Sequence, residues 1–257
     1  MISPVFIAHG SPMMALEDTA ASRFLEELGG KLRPKAVVVF TAHWEDRELK
    51  LSSPDGPFET IYDFGGFSPE LYAKKYPAPG WPELRSQLAQ RFREAGIAVK
   101  ETDRGLDHGS WVPLSRMYPE AHIPVVQISV NPNLSPEEHF RIGSVLRGLP
   151  EEDILVMGSG VTVHNLRRIE WGKPRDRAVE PWAAAFDDWL IEKLERHDLN
   201  ALFSYEQQAP HAREAVPTPE HFVPLFIAAG SASPGSKPAV IHRSYEFGVL
   251  SYLSLQF

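Results

Sequence analysis

Ala36-Val37-Val38-Val39-Phe40 is a short, unbroken apolar run dominated by β-branched residues. Too short for a helix and with no polar position in its alternation, it reads as a strand buried on both faces, the habit of a mainly parallel sheet. Val5-Phe6-Ile7-Ala8 has the same character, as do Pro124 to Val130, closed by Asn131-Pro132-Asn133, and Ile154 to Met157, closed by the turn Gly158-Ser159-Gly160. Ala239-Val240-Ile241-His242 supplies a fifth strand. Between them the pattern predicts helices from Thr19 to Leu32, Pro82 to Ala95, Pro136 to Arg147 and Pro181 to His197. Ser135 is a natural N-cap for the third, with Pro136 in its first turn. This alternation argues for an α/β fold, a central mainly parallel or mixed sheet covered by helices, in which sites gather at the carboxyl ends of strands. Ser52 to Gly80, rich in aromatics, Pro and Gly, fits no period and reads as a long ordered loop region. Such a loop either serves a site or forms a flap packed by its own aromatics.

With 257 residues, 43% hydrophobic and 23% charged, the chain can bury a large core without crosslinks. No low-complexity linker divides it, so residues 1–257 are expected to form a single catalytic domain. Lys and Arg number 26 against 34 Asp and Glu, a formal charge of -8, and no basic stripe interleaves with aromatics. A nucleic-acid backbone would be repelled. Met1-Ile2-Ser3-Pro4 lacks the layout of a signal peptide, and no apolar run approaches the ~18 residues that cross a bilayer, so a cytoplasmic protein is expected. With no Cys there is no thiolate site, iron-sulfur cluster or cysteine nucleophile, and any metal must be held by imidazole and oxygen.

Ten His therefore carry most of the chemistry. His9 follows the run Val5 to Ala8 and precedes Gly10-Ser11-Pro12; His43 ends the run Val37 to Ala42. Both should project from the carboxyl ends of neighbouring strands into one crevice. A single such histidine is more often a hydrogen-bonded structural residue, but two in equivalent places favour a ligand pair. His108 lies in Gly105-Leu106-Asp107-His108-Gly109-Ser110-Trp111, where small residues admit a ligand or simply make a turn. His164 comes after Gly158-Ser159-Gly160, beside Asn165, well placed for the crevice or for an ordinary buried bond. His221 sits in Pro217-Thr218-Pro219-Glu220-His221, where Thr218 can cap a helix running through Ala229; the adjacent Glu220 offers a carboxylate to the same metal. Among the others, His139 and His197 read as solvated helix positions, His122 as a loop residue and His242 as a strand end. His211, with Arg213 and Arg243, is retained as a candidate substrate contact, the arginines for a substrate carboxylate.

Ala8-His9-Gly10-Ser11-Pro12, Thr41-Ala42-His43-Trp44, Leu106 to Trp111, Gly158-Ser159-Gly160 with His164-Asn165-Leu166, Pro219-Glu220-His221 and Ser244-Tyr245-Glu246-Phe247-Gly248 occur in this order over nearly the whole chain. Together they resemble the DOPA-type extradiol dioxygenases, a branch of the class III, LigB-like superfamily of ring-cleaving enzymes. The resemblance implies a LigB-like fold and a metal held by His9, His43 and His221, with His164 and His108 as acid/base and hydrogen-bonding groups on the substrate side. It leaves His164 as a further ligand in a substrate-free state, and Glu220 as the alternative third ligand, since the wider superfamily often uses Glu there. It further implies one divalent metal per chain, iron(II) for turnover with zinc(II) as an alternative occupant, no organic cofactor, and opening of a catechol ring with O2 to a semialdehyde. A small-molecule catechol and O2 are the expected partners, without nucleic acid or membrane, and a homo-oligomer is compatible. A zinc hydrolase on the same scaffold and a non-catalytic metal-binding interaction protein are the rival readings; activity without oxygen would separate the first, and five retained site histidines argue against the second.

Overall fold

The computed structural model describes residues 2–257. Its strands are β1 (Val5–Ala8), β2 (Ala36–Glu45), β3 (Leu49–Ser52), β4 (Val99–Thr102), β5 (Val125–Val130), β6 (Ile154–Gly160), β7 (Ala239–His242), β8 (Tyr245–Glu246), β9 (Leu250–Ser251) and β10 (Ser254–Gln256). The helices are α1 (Ala20–Lys31), α2 (Pro69–Ala73), α3 (Pro82–Glu94), α4 (His108–Met117), α5 (Pro136–Ser144), α6 (Pro181–Glu195), α7 (Leu199–Phe203), α8 (Tyr205–Gln208), α9 (Ala212–Ala215) and α10 (Val223–Ser231).

One sheet of eight strands runs in the order β4-β3-β5-β2-β6-β1-β10-β7, and β8 with β9 forms a separate hairpin. The centre, β5-β2-β6-β1, is parallel, while β3 runs against β5 and β10 against both β1 and β7. The sheet is therefore mixed around a parallel core, as the unbroken apolar runs predict. Successive residues of β2 feed opposite layers. Val37 and Val39 pack toward α1 and α4 through Leu25, Trp111 and Val112, whereas Val38 and Phe40 pack toward α3 and α10 through Leu88, Phe92 and Ile227. Fully burying each such side chain stabilises by about 1.5–3 kcal/mol, so the two-sided run fixes the middle of the sheet.

The structure differs from the sequence expectation in places that matter for the site. β2 continues past Phe40 through His43 to Glu45, so His43 is a strand residue. Gly158-Ser159-Gly160 is the end of β6 and not a turn. An alanine Cβ at Gly158 would lie 2.3 Å from the carbonyl oxygen of Pro224, and one at Gly160 would lie 2.1 Å from that of His221. The glycines are there because another backbone presses flat on the strand, not to bend it. Strand β3 and the edge strand β4 beside it were not anticipated; β4, Val-Lys-Glu-Thr, is largely polar. Helix α5 stops at Ser144, short of Arg147. His139, expected in solvent, is fully buried where α5 packs on α10; Nδ1 lies 2.9 Å from Ser135 O and Nε2 has no partner. Among the described residues no helix is long and apolar enough to cross a membrane.

Candidate metal centre

The carboxyl ends of β1, β2 and β6 adjoin, with Ser159 in register with Ile7 on one side and Thr41 on the other. His9 immediately follows β1, and His43 lies near the end of β2 between the buried Ala42 and Trp44. His221 arrives from a 3-10 turn, Pro219–His221, whose last carbonyl accepts from Val161 N at 2.8 Å while lying against Gly160. Thr218 does not cap this turn; its hydroxyl donates to Glu220 Oε1 at 2.9 Å. His108 is the first residue of α4, with Asp107 as N-cap accepting from Ser110 N. Gly109 is small because a Cβ there would meet Thr41 Oγ1 at 2.6 Å and His43 Cδ2 at 2.9 Å.

These supports bring Nε2 of His43 to 3.1 Å from Nε2 of His9 and 3.2 Å from Nε2 of His221. Three imidazoles bound to one ion at about 2.0–2.1 Å, with angles between square and tetrahedral, have nitrogens about 2.9–3.4 Å apart, so the spacing fits a shared divalent cation. The outer nitrogens support the same reading. Ser159 Oγ donates to Gly109 O, so it can only accept from His9 Nδ1, 3.1 Å away. His221 Nδ1 lies 2.9 Å from Glu220 Oε1, and His43 Nδ1 lies 3.4 Å from Asp63 Oδ2. With Nδ1 as the donor in each ring, every Nε2 turns a lone pair inward.

Other groupings are looser. His9, His43 and His108 offer nitrogens within 4.8 Å of one another, as do atoms of His164, Glu220 and His221. His108 Nδ1, however, is 2.9 Å from Asp63 Oδ2, and His164 lies flat on His221 with ring centroids 3.8 Å apart. Glu220 faces the outer edge of His221, so in this arrangement the carboxylate braces the histidine.

Burial, followed by the neighbouring imidazoles, holds His9 well below the usual histidine range and His43 at about 2. Burial and then His221 lower His164 to about 3. Asp63 is pushed up by burial, but its hydrogen bonds and attraction to His108 outweigh this and hold it at about 2. Glu220 likewise stays at about 2 because His221 offsets its burial. Neutral imidazoles beside ionised carboxylates are the protonation states a cation needs.

A cavity of about 510 Å³ opens above the histidines, and His9, His43, His108, His164 and His221 all line it. Its walls are largely apolar, including Phe64, Phe67, Val161, Ile169, Trp171 and Leu250. His211, Arg213 and Arg243, expected as substrate contacts, are not among the residues that line this cavity. His211 and Arg213 are exposed, His211 with Nδ1 3.5 Å from Glu214. Arg243 is held on α6 by Asp188 Oδ1 at 2.6 Å and hydrogen-bonds Tyr245. The arginine that does line the cavity is Arg175, paired with Glu17 at 2.6 Å and Glu246 at 2.8 Å. Sequence reasoning also missed Ser159 and Asp63 as partners of the histidines. Ser159 was visible only as part of a glycine-flanked triplet, and Asp63 and Arg175 lie in loops without periodicity.

Comparison with known proteins adds a family. The family described as the catalytic LigB subunit of aromatic ring-opening dioxygenase matches residues 4–256. A protein of Beta vulgaris named 4,5-DOPA dioxygenase extradiol is 43% identical over 258 residues, covering 98% of this chain and 95% of its own. One of the same name from Escherichia coli (strain K12) is 38% identical over 260 residues, covering 98% and 93%. A crystal structure of an uncharacterized Escherichia coli K12 protein matches with a TM-score of 0.83 at 34% identity, over 100% of both chains.

Proposed function

Because the chain belongs to the LigB family of aromatic ring-opening dioxygenases, we propose that it opens a catechol ring with dioxygen, outside the diol, to a semialdehyde. The observation that carries this reading is the convergence of the Nε2 atoms of His9, His43 and His221 at the floor of an apolar-walled cavity. These three residues would hold the metal, iron(II) for turnover, with zinc(II) able to occupy the same nitrogens. The bound metal supplies Lewis acidity toward the catechol oxygens and, as iron(II), electron exchange with dioxygen. No organic cofactor enters this reading, and the chain acts as one catalytic domain.

The protein's own groups do the rest. Neither ring nitrogen of His164 has a protein hydrogen-bond partner among the described residues, and the ring borders the cavity in its neutral form. It is placed to accept a phenolic proton and to return it later. His108, with Nδ1 committed to Asp63, presents Nε2 as the second proton-handling and hydrogen-bonding atom. Phe64, Phe67 and Leu250 would hold the aromatic ring and keep water out.

Anaerobically iron-loaded protein, given a panel of catechols, should consume oxygen and form a yellow conjugated product. Oxygen uptake at background across the panel would sink the proposal.

A further inference from the structure

The loop that carries Asp63 is pinned on both sides. Ile61 N donates to Leu106 O and Leu106 N to Glu59 O, both at 2.8 Å, joining the loop to the segment that leads into α4. Trp111 Nε1 donates to Ile61 O at 3.0 Å and Tyr62 OH to Lys74 O at 2.6 Å. Beyond Asp63, the Phe64 ring meets His108 edge to face, with centroids 5.6 Å apart. The side chain between these anchors is therefore aimed by the fold, and its carboxylate is only 20% exposed.

That carboxylate makes three contacts with two histidines. Oδ1 accepts the backbone N–H of His108 at 2.9 Å, Oδ2 lies 2.9 Å from His108 Nδ1, and the same Oδ2 lies 3.4 Å from His43 Nδ1. We propose that Asp63 is a positioning residue: it fixes His108 in the Nδ1–H tautomer, leaving Nε2 unprotonated toward the cavity, and at the same time braces the metal-side histidine His43. The carboxylate has no proton to give, so Nδ1 must be the donor, and in a neutral ring the lone pair is then on Nε2. The bidentate grip removes ring rotation as well, because Oδ1 is anchored on a backbone amide at the start of α4. A single side chain thus sets the proton inventory of one histidine and the orientation of its neighbour, whose ring centroid is 3.9 Å away. This inference rests on the proposed role of His108 in handling protons of a bound catechol, but its structural half does not.

The test is Asp63→Asn, which keeps the shape and replaces one acceptor oxygen by an NH2 group. The backbone amide of His108 cannot give up its proton, so the remaining oxygen should stay there and the NH2 should face Nδ1. His108 then relieves the clash by moving its proton to Nε2. In zinc-loaded protein labelled with 15N at histidine, long-range proton–nitrogen correlation reads the tautomer directly, with the His108 signals assigned from their loss in His108→Asn. Wild type should show Nδ1–H at His108 and D63N should shift toward Nε2–H, while loss of the brace on His43 should weaken zinc binding, so both proteins are compared at saturating zinc. In the iron-loaded enzyme kcat should fall on the order of 10–100-fold while KM moves little. An Nε2–H tautomer at His108 in the wild-type protein overturns the proposal without any variant, so a D63N chain that fails to fold does not shelter it. Wild-type kcat in a folded D63N enzyme overturns it too. If no catechol is opened by either protein, the functional reading fails while the tautomer result still decides the positioning role.

Discussion

Replacing Gly160 by Ala tests whether backbone packing seats His221, the proposed third metal ligand. The new Cβ would lie 2.1 Å from the carbonyl oxygen of His221, where a carbon–oxygen contact needs about 3.2 Å, so one backbone must retreat by about 1 Å. The obstacle is main chain on both sides and no rotamer change can relieve it. On the far side the Phe6 ring carbon, 3.1 Å from the same Cβ, blocks a sideways escape. The retreat falls on His221, whose carbonyl also accepts from Val161 N at 2.8 Å. Its Nε2, now 3.2 Å from that of His43, moves with it.

Overpacking of this kind costs about 1–3 kcal/mol, and in a chain of this size each kcal/mol shifts Tm by about 2–4 °C. Misplacing one of three ligands should weaken zinc binding at least about tenfold, equivalent to about 1.4 kcal/mol. Zinc affinity is read by competition with a chromophoric chelator, and stability by melting the metal-free protein, so the two effects separate. Gly230→Ala is the control: its Cβ would sit 2.0 Å from Phe140 O at the remote end of α10. It should lose similar stability and keep wild-type zinc affinity. If G160A binds zinc as wild type does, or if both variants lose affinity equally, the claim that Gly160 seats His221 is wrong.

His9→Ala should lose both metal and turnover, whereas His164→Ala should keep most of its metal and lose turnover, as read by metal analysis and oxygen uptake on the same samples; equal metal loss would make His164 a ligand. His139 is lowered by burial from 6.5 to about 4 in the folded chain, so as pH falls the unfolded chain takes up the proton first. The stability it protects is whole above about pH 6.5 and drains between there and about pH 4, to a total of about 3 kcal/mol. Urea titrations of wild type and His139→Leu should converge in their pH dependence only if another group is responsible.

The central strands were legible because both of their faces are buried, so Val37 to Phe40 carries no polar interruption that a helix or a one-sided strand would show. The β4 edge was not, since β4 exposes Lys100 and Glu101 and has the composition of a loop. Gly158-Ser159-Gly160 misled for a physical reason. Glycine permits a turn and also permits another backbone to touch a strand, and sequence alone does not distinguish the two uses. At the site, His9 and His43 were readable from their places after apolar runs, because a strand end is where a sheet presents side chains to a crevice. Their outer partners were not readable, because Asp63 lies 45 residues from His108 and Ser159 lies 150 residues from His9. His139 was misjudged from its residue type: it shares the buried face of α5 with Ile142 and Gly143, three and four residues on, a spacing that placed it against α10.

The outer partners also bear on how the centre acts. If the metal alone gathered the histidines, their orientation would depend on its presence, and exchanging ions would rearrange the floor of the cavity. Here each proposed ligand is aimed by a contact with a different part of the fold: Ser159 on β6 for His9, Asp63 on the aromatic loop for His43, Glu220 on the preceding turn for His221. Each of these partners sits on an element that is itself fixed, by the sheet, by Trp111 and by the glycine contact of β6. The three nitrogens are therefore aimed at one point by packing and hydrogen bonds that come from separate parts of the fold. Under the proposed function, the same fixed elements would hold His108 and His164 in place beside these histidines, which is what proton transfer over a few tenths of an ångström requires.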